Sequence, residues 1–94
     1  MAKKEIKTYR QIERIVKGFA NHRRIEILEL LKKEPELSVI EISEKLKINF
    51  KTASEHIRRL AIAGLVMKRS DWKSVRHKLT KQGELVLKFL RMLE

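Results

Sequence analysis

The sequence predicts a mostly α-helical domain with one small β-ribbon, in the order four helices, ribbon, helix. Three observations predict it. Apolar residues recur at steps of three and four through most of the chain, which is the period of one helix face. That period gives way to a short, partial alternation only after Gly64, as a two-stranded ribbon requires. The chain has 94 residues, 43% of them hydrophobic, with three Gly and one Pro. A chain of this length buries about 60–65% of its unfolded surface, enough for a single modest core. No internal repeat and no low-complexity linker divides it, so residues 1–94 are expected to form one domain.

The first helix is expected over about residues 5–19. Tyr9, Ile12, Val16 and Phe19 make its apolar stripe, and Gly18 weakens its end. Asn21 offers an N-cap for a second helix that runs to about Glu34. Arg24, Ile27, Leu28 and Leu31 share one side of it, and Pro35 stops it. Ser38-Val-Ile-Glu41 reads as a capping box, with hydroxyl and carboxylate each satisfying the other's backbone amide. It opens a short third helix to about Leu46, with Val39, Ile42 and Leu46 inward. Lys47 and Ile48 form a tight connection. Asn49 then caps a fourth helix that reaches about Ala63 and ends at Gly64, a residue that tolerates a left-handed backbone. Residues 65–70 and 75–79 form the ribbon, with Asp71 to Ser74 as its turn. Thr80 caps a last helix from Lys81 to about Leu93. Leu85, Val86, Leu87, Phe89, Leu90, Met92 and Leu93 cover more than one face of that helix, more than a single core can absorb.

Charge points to the partner. Twenty-three Lys and Arg against twelve Asp and Glu give a net charge of +11. From Lys45 to Lys81 there are eleven basic and two acidic residues, a net of +9, which leaves +2 for the rest. A regional basic excess on a folded domain is the footprint of a polyanion, DNA or RNA first. There is no cysteine, which removes disulfides, thiolate chemistry and cysteine metal sites. The opening Met-Ala-Lys-Lys-Glu-Ile-Lys has no apolar run behind its charges, so no secretory signal is expected. No stretch approaches the ~18 continuous apolar residues of a membrane span.

Two short helices joined by a tight turn, the second followed by a basic ribbon, describe a winged helix-turn-helix. On the fourth helix Ala53, Ile57 and Leu60 fall on the core side. Lys51, Glu55, Arg58 and Ile62 point the opposite way, flanked by Thr52 and Arg59 on one side and Ser54 on the other. A helix fits the major groove, where Lys51 and the arginines can donate to guanine or phosphate, and Thr52 and Ser54 can bond either. Asn49 or the helix N-terminus can hold a phosphate. Glu55 can accept from cytosine N4 or repel phosphate. Phe50 is open between packing on Ile48 and stacking on a thymine methyl. On the ribbon, Lys68, Arg69, Lys73 and Arg76 suit the DNA backbone or the minor groove, and Trp72 at the tip suits DNA or a partner better than packing.

Other features read as structure. Lys32 and Lys33 complement their helix dipole and face solvent. Ile62 is either a single exposed apolar residue or a subunit contact. His22, His56 and His77 have no i, i+4 pairing that would hold a metal, and His56 is expected to bond backbone or phosphate. No catalytic motif and no Gly-rich phosphate loop is present, so no catalytic residue and no cofactor are expected.

Several stretches resemble the ArsR-type winged-helix repressors, and more loosely the MarR type. Phe19-Ala-Asn-His-Arg-Arg-Ile-Glu-Ile-Leu-Glu-Leu-Leu31 is similar to the second helix of that family. Leu37-Ser-Val-Ile-Glu-Ile-Ser-Glu-Lys-Leu46 with Ile48-Asn-Phe-Lys-Thr-Ala-Ser-Glu-His-Ile-Arg-Arg-Leu60 resembles its helix-turn-helix. Ala63-Gly-Leu-Val66 through Leu79-Thr80 resembles the wing and its exit. The resemblance spans roughly residues 19–83 and implies a DNA-binding scaffold and a dimer. It does not extend to metal sensing. The cysteine pair that such sensors often carry around the third helix is absent, and the last helix holds no His.

The combined expectation is a cytoplasmic prokaryotic protein, nucleoid-associated when bound, that regulates transcription by sequence-specific binding of double-stranded DNA. Residues 49–63 are the groove helix and 65–79 the wing. Repression by a homodimer is the expected mode, with residues 5–19 and 81–93 as dimerisation helices and Tyr9, Ile12, Val16, Leu87 and Leu90 at the interface. Membrane and metal are not expected partners. Non-specific DNA packaging, or a protein-interaction module of a larger complex, are the competing readings.

Overall fold

The computed structural model describes residues 6–94; Met1–Glu5, including the Glu5 start expected for the first helix, lie outside the described residues. Each helix begins where a side chain can satisfy the amides that its first turn leaves unpaired. α1 (Tyr9–Phe19) starts after Thr8 because Thr8 and Gln11 form a capping box. The Thr8 amide donates to Gln11 Oε1 at 2.7 Å, and the Gln11 amide donates to Thr8 Oγ1 at 3.2 Å. α2 (His22–Lys33) is capped by Asn21, whose Oδ1 accepts from the amides of Arg23 and Arg24. It stops two residues before Pro35, since the residue before a proline is driven out of the helical region. α3 (Val39–Leu46) opens on the expected Ser38–Glu41 capping box. α4 (Phe50–Ile62) is capped by Asn49, and α5 (Lys81–Arg91) by Thr80.

Both helices of the helix-turn-helix end the same way. After α3, Lys47 takes a left-handed φ of 55°, and the Ile48 amide donates to the Ser43 carbonyl at 3.0 Å. After α4, Gly64 takes a φ of 78°, and the Leu65 amide donates to the Leu60 carbonyl at 3.0 Å. These are Schellman-type closures, which use carbonyls the helix end leaves open. Gly64 adopts its conformation freely, whereas Lys47 does so against a steric cost. The three residues between α3 and α4 therefore set the angle of the second helix against the first.

β1 (Val66–Ser70) pairs antiparallel with β2 (Val75–Leu79), with Val66 opposite Leu79 and Ser70 opposite Val75. Asp71 closes the turn by accepting from the Lys73 and Ser74 amides, each at 2.8 Å. Leu37, between α2 and α3, adds an isolated antiparallel bridge to His77. The ribbon root is thus pinned to the segment that enters the helix-turn-helix.

The core lies around α2. Ile27 and Leu28 are fully buried there, against Ile42 of α3, Ile57 and Leu60 of α4, and Leu65. Each such side chain contributes about 1.5–3 kcal/mol of burial. Three expectations change at its edges. Phe19, grouped in one apolar stripe with Tyr9, Ile12 and Val16, is buried in the core, while the other three remain exposed. Gly18 is a contact rather than a weak point: a Cβ there would collide with the Cβ of Ala63, so α1 and α4 touch backbone to side chain. Leu87, expected at a dimer interface, is 6% exposed and belongs to the core of its own chain. On α5 the inward side is Gly83, Val86 and Leu87, with Leu90 half-buried, because a spacing of three and four returns these positions to α2 and the ribbon. Leu85, Phe89 and Met92 form a separate exposed stripe on the other side.

His77 is buried, with backbone amide and Nδ1 both bonded to the Leu37 carbonyl, at 2.9 and 3.0 Å. Burial holds its imidazole below the usual 6.5; the Leu37 hydrogen bond opposes this and the charge of Lys68 adds to it. Because the folded pKa lies below the unfolded one, the unfolded chain takes up the proton first as pH falls. Stability is therefore expected to hold above about pH 6.5 and to decline below it, before the lowered carboxyls of Glu41, Glu55 and Asp71 begin to matter below their ordinary values near 4. Denaturant midpoints at pH 7.5 and 5.5 check this. The midpoint should be lower at pH 5.5, and the drop should shrink in His77→Gln; an unchanged wild-type midpoint contradicts the assignment.

Candidate nucleic-acid interface

α4 is held from below and open above. Ala53, Ile57 and Leu60 are at most 1% exposed. Lys51, Thr52, Ser54, Glu55, Arg58 and Arg59 are all exposed, as the helical spacing requires. Asn49 is the exposed cap, and its Oδ1 is already engaged by the amides of Lys51 and Thr52 at 2.8 and 3.4 Å. Phe50 leaves about half of its surface open, at 53% exposure, beside that cap. Ile62 is exposed near the far end of the same face.

Glu55 organises the cations of this face. Its carboxylate accepts from Arg58 Nε at 3.0 Å and Nη2 at 2.7 Å, and from Arg59 Nε at 3.2 Å. The Arg58 hydrogen bonds, then the charges of Arg58 and Arg59, hold the Glu55 carboxyl down to about 2. Glu55 therefore stays ionised across the physiological range. Any phosphate or base acceptor that engages Arg58 or Arg59 competes with it.

Arg24 and His56 form a contact that sequence reasoning missed. Arg24 Nε donates to His56 Nδ1 at 3.1 Å, and Arg24 Nη1 donates to the carbonyls of Lys17 and Gly18. His56 thus bonds a side chain, where a backbone or phosphate partner was expected. The signal was present: an arginine on an apolar stripe must find acceptors when it is partly buried. The link ties α2 to the inner edge of α4. Burial and the charge of Arg24 push the His56 imidazole below its ordinary value.

The ribbon splits its cations between two faces, because residues directly opposite share a face and neighbours alternate. Lys68 lies opposite His77, and Arg69 opposite Arg76. Arg69 and Arg76 are like charges side by side, and the α2–α3 connection and the first turn of α3 answer them. Glu36 lies 3.3 Å from Arg69, its carbonyl accepts from Arg76 at 2.9 Å, and Glu41 lies 3.8 Å from Arg76. The sequence assigned Lys68, Arg69, Lys73 and Arg76 alike to DNA and gave no sign of these acidic partners. At the tip Trp72 is 89% exposed, with the Lys73 ammonium 4.4 Å from its ring centroid.

The chain has no cysteine, and among the described residues no group of three His, Asp or Glu is placed to hold a metal ion. Among the described residues no helix is long and apolar enough to cross a membrane.

Residues 21–68 match the family described as bacterial regulatory protein, arsR family. Comparison with curated proteins gives no match. Among solved structures, the chain is similar to the homodimeric winged helix-turn-helix DNA-binding domain of a possible ArsR-family transcriptional regulator from Mycobacterium bovis. The TM-score is 0.83 at 26% identity, covering 99% of this chain and 89% of that one. It is also similar to HlyU from Vibrio cholerae, with a TM-score of 0.78 at 30% identity over 95% of this chain and 97% of that one. A MarR family protein from Bacillus stearothermophilus gives a TM-score of 0.72 at 26% identity, over 88% of this chain and 59% of that one. An outward-facing α4 on a buried base, a ribbon pinned beside it, and a match over half the chain agree: this protein belongs to the ArsR family and is a winged helix-turn-helix transcriptional regulator.

Proposed function

We propose that the protein is a repressor that binds a specific sequence of double-stranded DNA as a homodimer in the cytoplasm, with α4 in the major groove and the ribbon on the backbone or minor groove. The observation that carries this reading is the outer face of α4, where Lys51, Thr52, Ser54, Glu55 and Arg58 are exposed together over a fully buried base. Donors and acceptors mixed on one rigid helix suit base edges, whose pattern in the major groove is distinct for each pair. Cations alone would suit phosphate. Glu55 favours a reader over a packaging protein, since a permanent carboxylate on the groove helix weakens binding to arbitrary duplex while leaving a cytosine amino group as a favourable partner. Repression by occlusion requires only that the domain sit on a promoter.

Replacing Arg58 or Lys51 by Ala tests the groove assignment. Both side chains are exposed, so neither change opens a cavity. Loss of a base contact from Arg58 should cost about 1–3 kcal/mol on a selected site and relax the preference at one position. Binding by both variants equal to the unaltered protein contradicts the assignment of α4 as the reader.

The dimer rests on surfaces left after the core is filled. Tyr9, Ile12 and Val16 on α1, and Leu85, Phe89 and Met92 on α5, are exposed apolar side chains on helices that flank the core. Half-buried Leu90 borders the α5 stripe, and the Mycobacterium bovis domain is homodimeric. A two-fold axis would let each surface meet its copy and set two α4 helices about 34 Å apart, one turn of duplex. Sedimentation at tens of micromolar should give a dimer, and Ile12→Glu with Phe89→Glu a folded monomer with far weaker operator binding. A monomeric unaltered protein contradicts the dimer.

A further inference from the structure

Arg14 and Lys17 of α1, Arg24 of α2, and Arg58 and Arg59 of α4 line one groove of about 290 Å³. We propose that this groove is a second nucleic-acid contact, which takes backbone phosphates of the same duplex whose major groove holds α4. It rests on the DNA-binding reading above and extends the footprint to α1 and α2, elements that neither groove helix nor wing includes.

Three observations carry it. The first is charge. Five cationic side chains face two carboxylates, Glu13 at 3.5 Å from Lys17 and Glu55 shared between Arg58 and Arg59. The second is fixation. Arg24 is held by His56 and by the carbonyls of Lys17 and Gly18, so one guanidinium stands in place before any anion arrives. Such preorganisation lowers the ordering cost of a charge-assisted bond. The third is continuity. Arg58 and Ile62 belong both to the outer face of α4 and to the groove lining, so a strand beside α4 passes over the cations of α1 without a gap between two sites.

The cations also crowd one another. Burial first, then the charge of Arg59, lowers Arg24; burial, then the charges of Arg24, Arg59 and His22, lowers His56 against the opposing pull of Glu55. Phosphate placed among them relieves that field. His56 therefore reports occupancy from inside the chain, through a group that belongs to neither the outer face of α4 nor the wing.

The test uses the full chain and Arg14→Gln with Lys17→Gln, both on the exposed surface of α1. Thermal melting establishes that the variant is folded. Duplex binding is then measured over a range of KCl, with His56 followed by NMR through a pH titration with and without duplex. Two lost phosphate contacts should lower the slope of log K against log salt by about two, weaken all sequences alike and leave the preferred sequence unchanged. Duplex should raise the His56 midpoint in the unaltered protein, and raise it less in the variant. An unchanged slope, or a changed sequence preference, overturns the proposal. So does inorganic pyrophosphate that binds the unaltered protein at micromolar concentration, and not the variant, while leaving duplex affinity unchanged, which assigns the groove to a small anion. An unaltered protein that binds no duplex refutes the DNA-binding reading itself, and is told apart because the variant is then not needed.

Discussion

The inner face of α4 is the constraint on which the rest of the molecule depends. Ala53, Ile57 and Leu60 are sealed against the core, and this fixes the rotation of the helix about its own axis. A turn of one residue, about 100°, would exchange a core side chain for a charged one. Everything presented outward is therefore set by what is hidden beneath. α2 supplies the floor, the Lys47 closure sets the approach from α3, and the Gly18–Ala63 contact brings α1 against the far end. A methyl group at Gly18 would force those two helices apart, with an overpacking cost of about 1–3 kcal/mol.

A second layer of order is electrostatic. A chain of net charge +11 must place its cations without letting them repel the fold apart. It does so by pairing cations with single carboxylates, with one carboxylate shared and one backbone carbonyl added. Glu55 serves Arg58 and Arg59, and the Glu36 segment serves Arg69 and Arg76. These exposed pairs add little to stability, since surface ion pairs are worth about 0–1 kcal/mol. Their effect is to hold guanidinium groups in defined positions while leaving them exchangeable, because a phosphate oxygen competes on equal terms with a carboxylate.

Much of this was legible in the residues. Ser38–Glu41, Asn21, Asn49 and Thr80 mark helix starts by local chemistry, and local chemistry is what one sequence carries most directly. Gly64 and the change of period after it placed the ribbon within a residue of its observed start. What was not legible depends on distance in the chain. Periodicity showed that α5 has too many apolar residues, yet only packing divides them into an inner set with Leu87 and an outer set with Phe89. Likewise Gly18 looks like a helix breaker until Ala63, forty-five positions later, is seen against it. The Arg24–His56 and Arg69–Glu36 pairs join residues more than thirty positions apart, and no short-range rule pairs them. The assignment of individual side chains to bases and phosphates rests on exposure and chemistry, in both the sequence and the fold.

The central claim is that two copies of this domain read DNA through α4, one turn of duplex apart. The most direct measurement is selection of bound sequences from a random duplex pool with the unaltered protein. The account predicts enrichment of an inverted repeat whose half-sites are centred about 10–10.5 base pairs apart, or a multiple of that spacing. A pool that yields no enriched sequence, or a single half-site without its inverted copy, contradicts it.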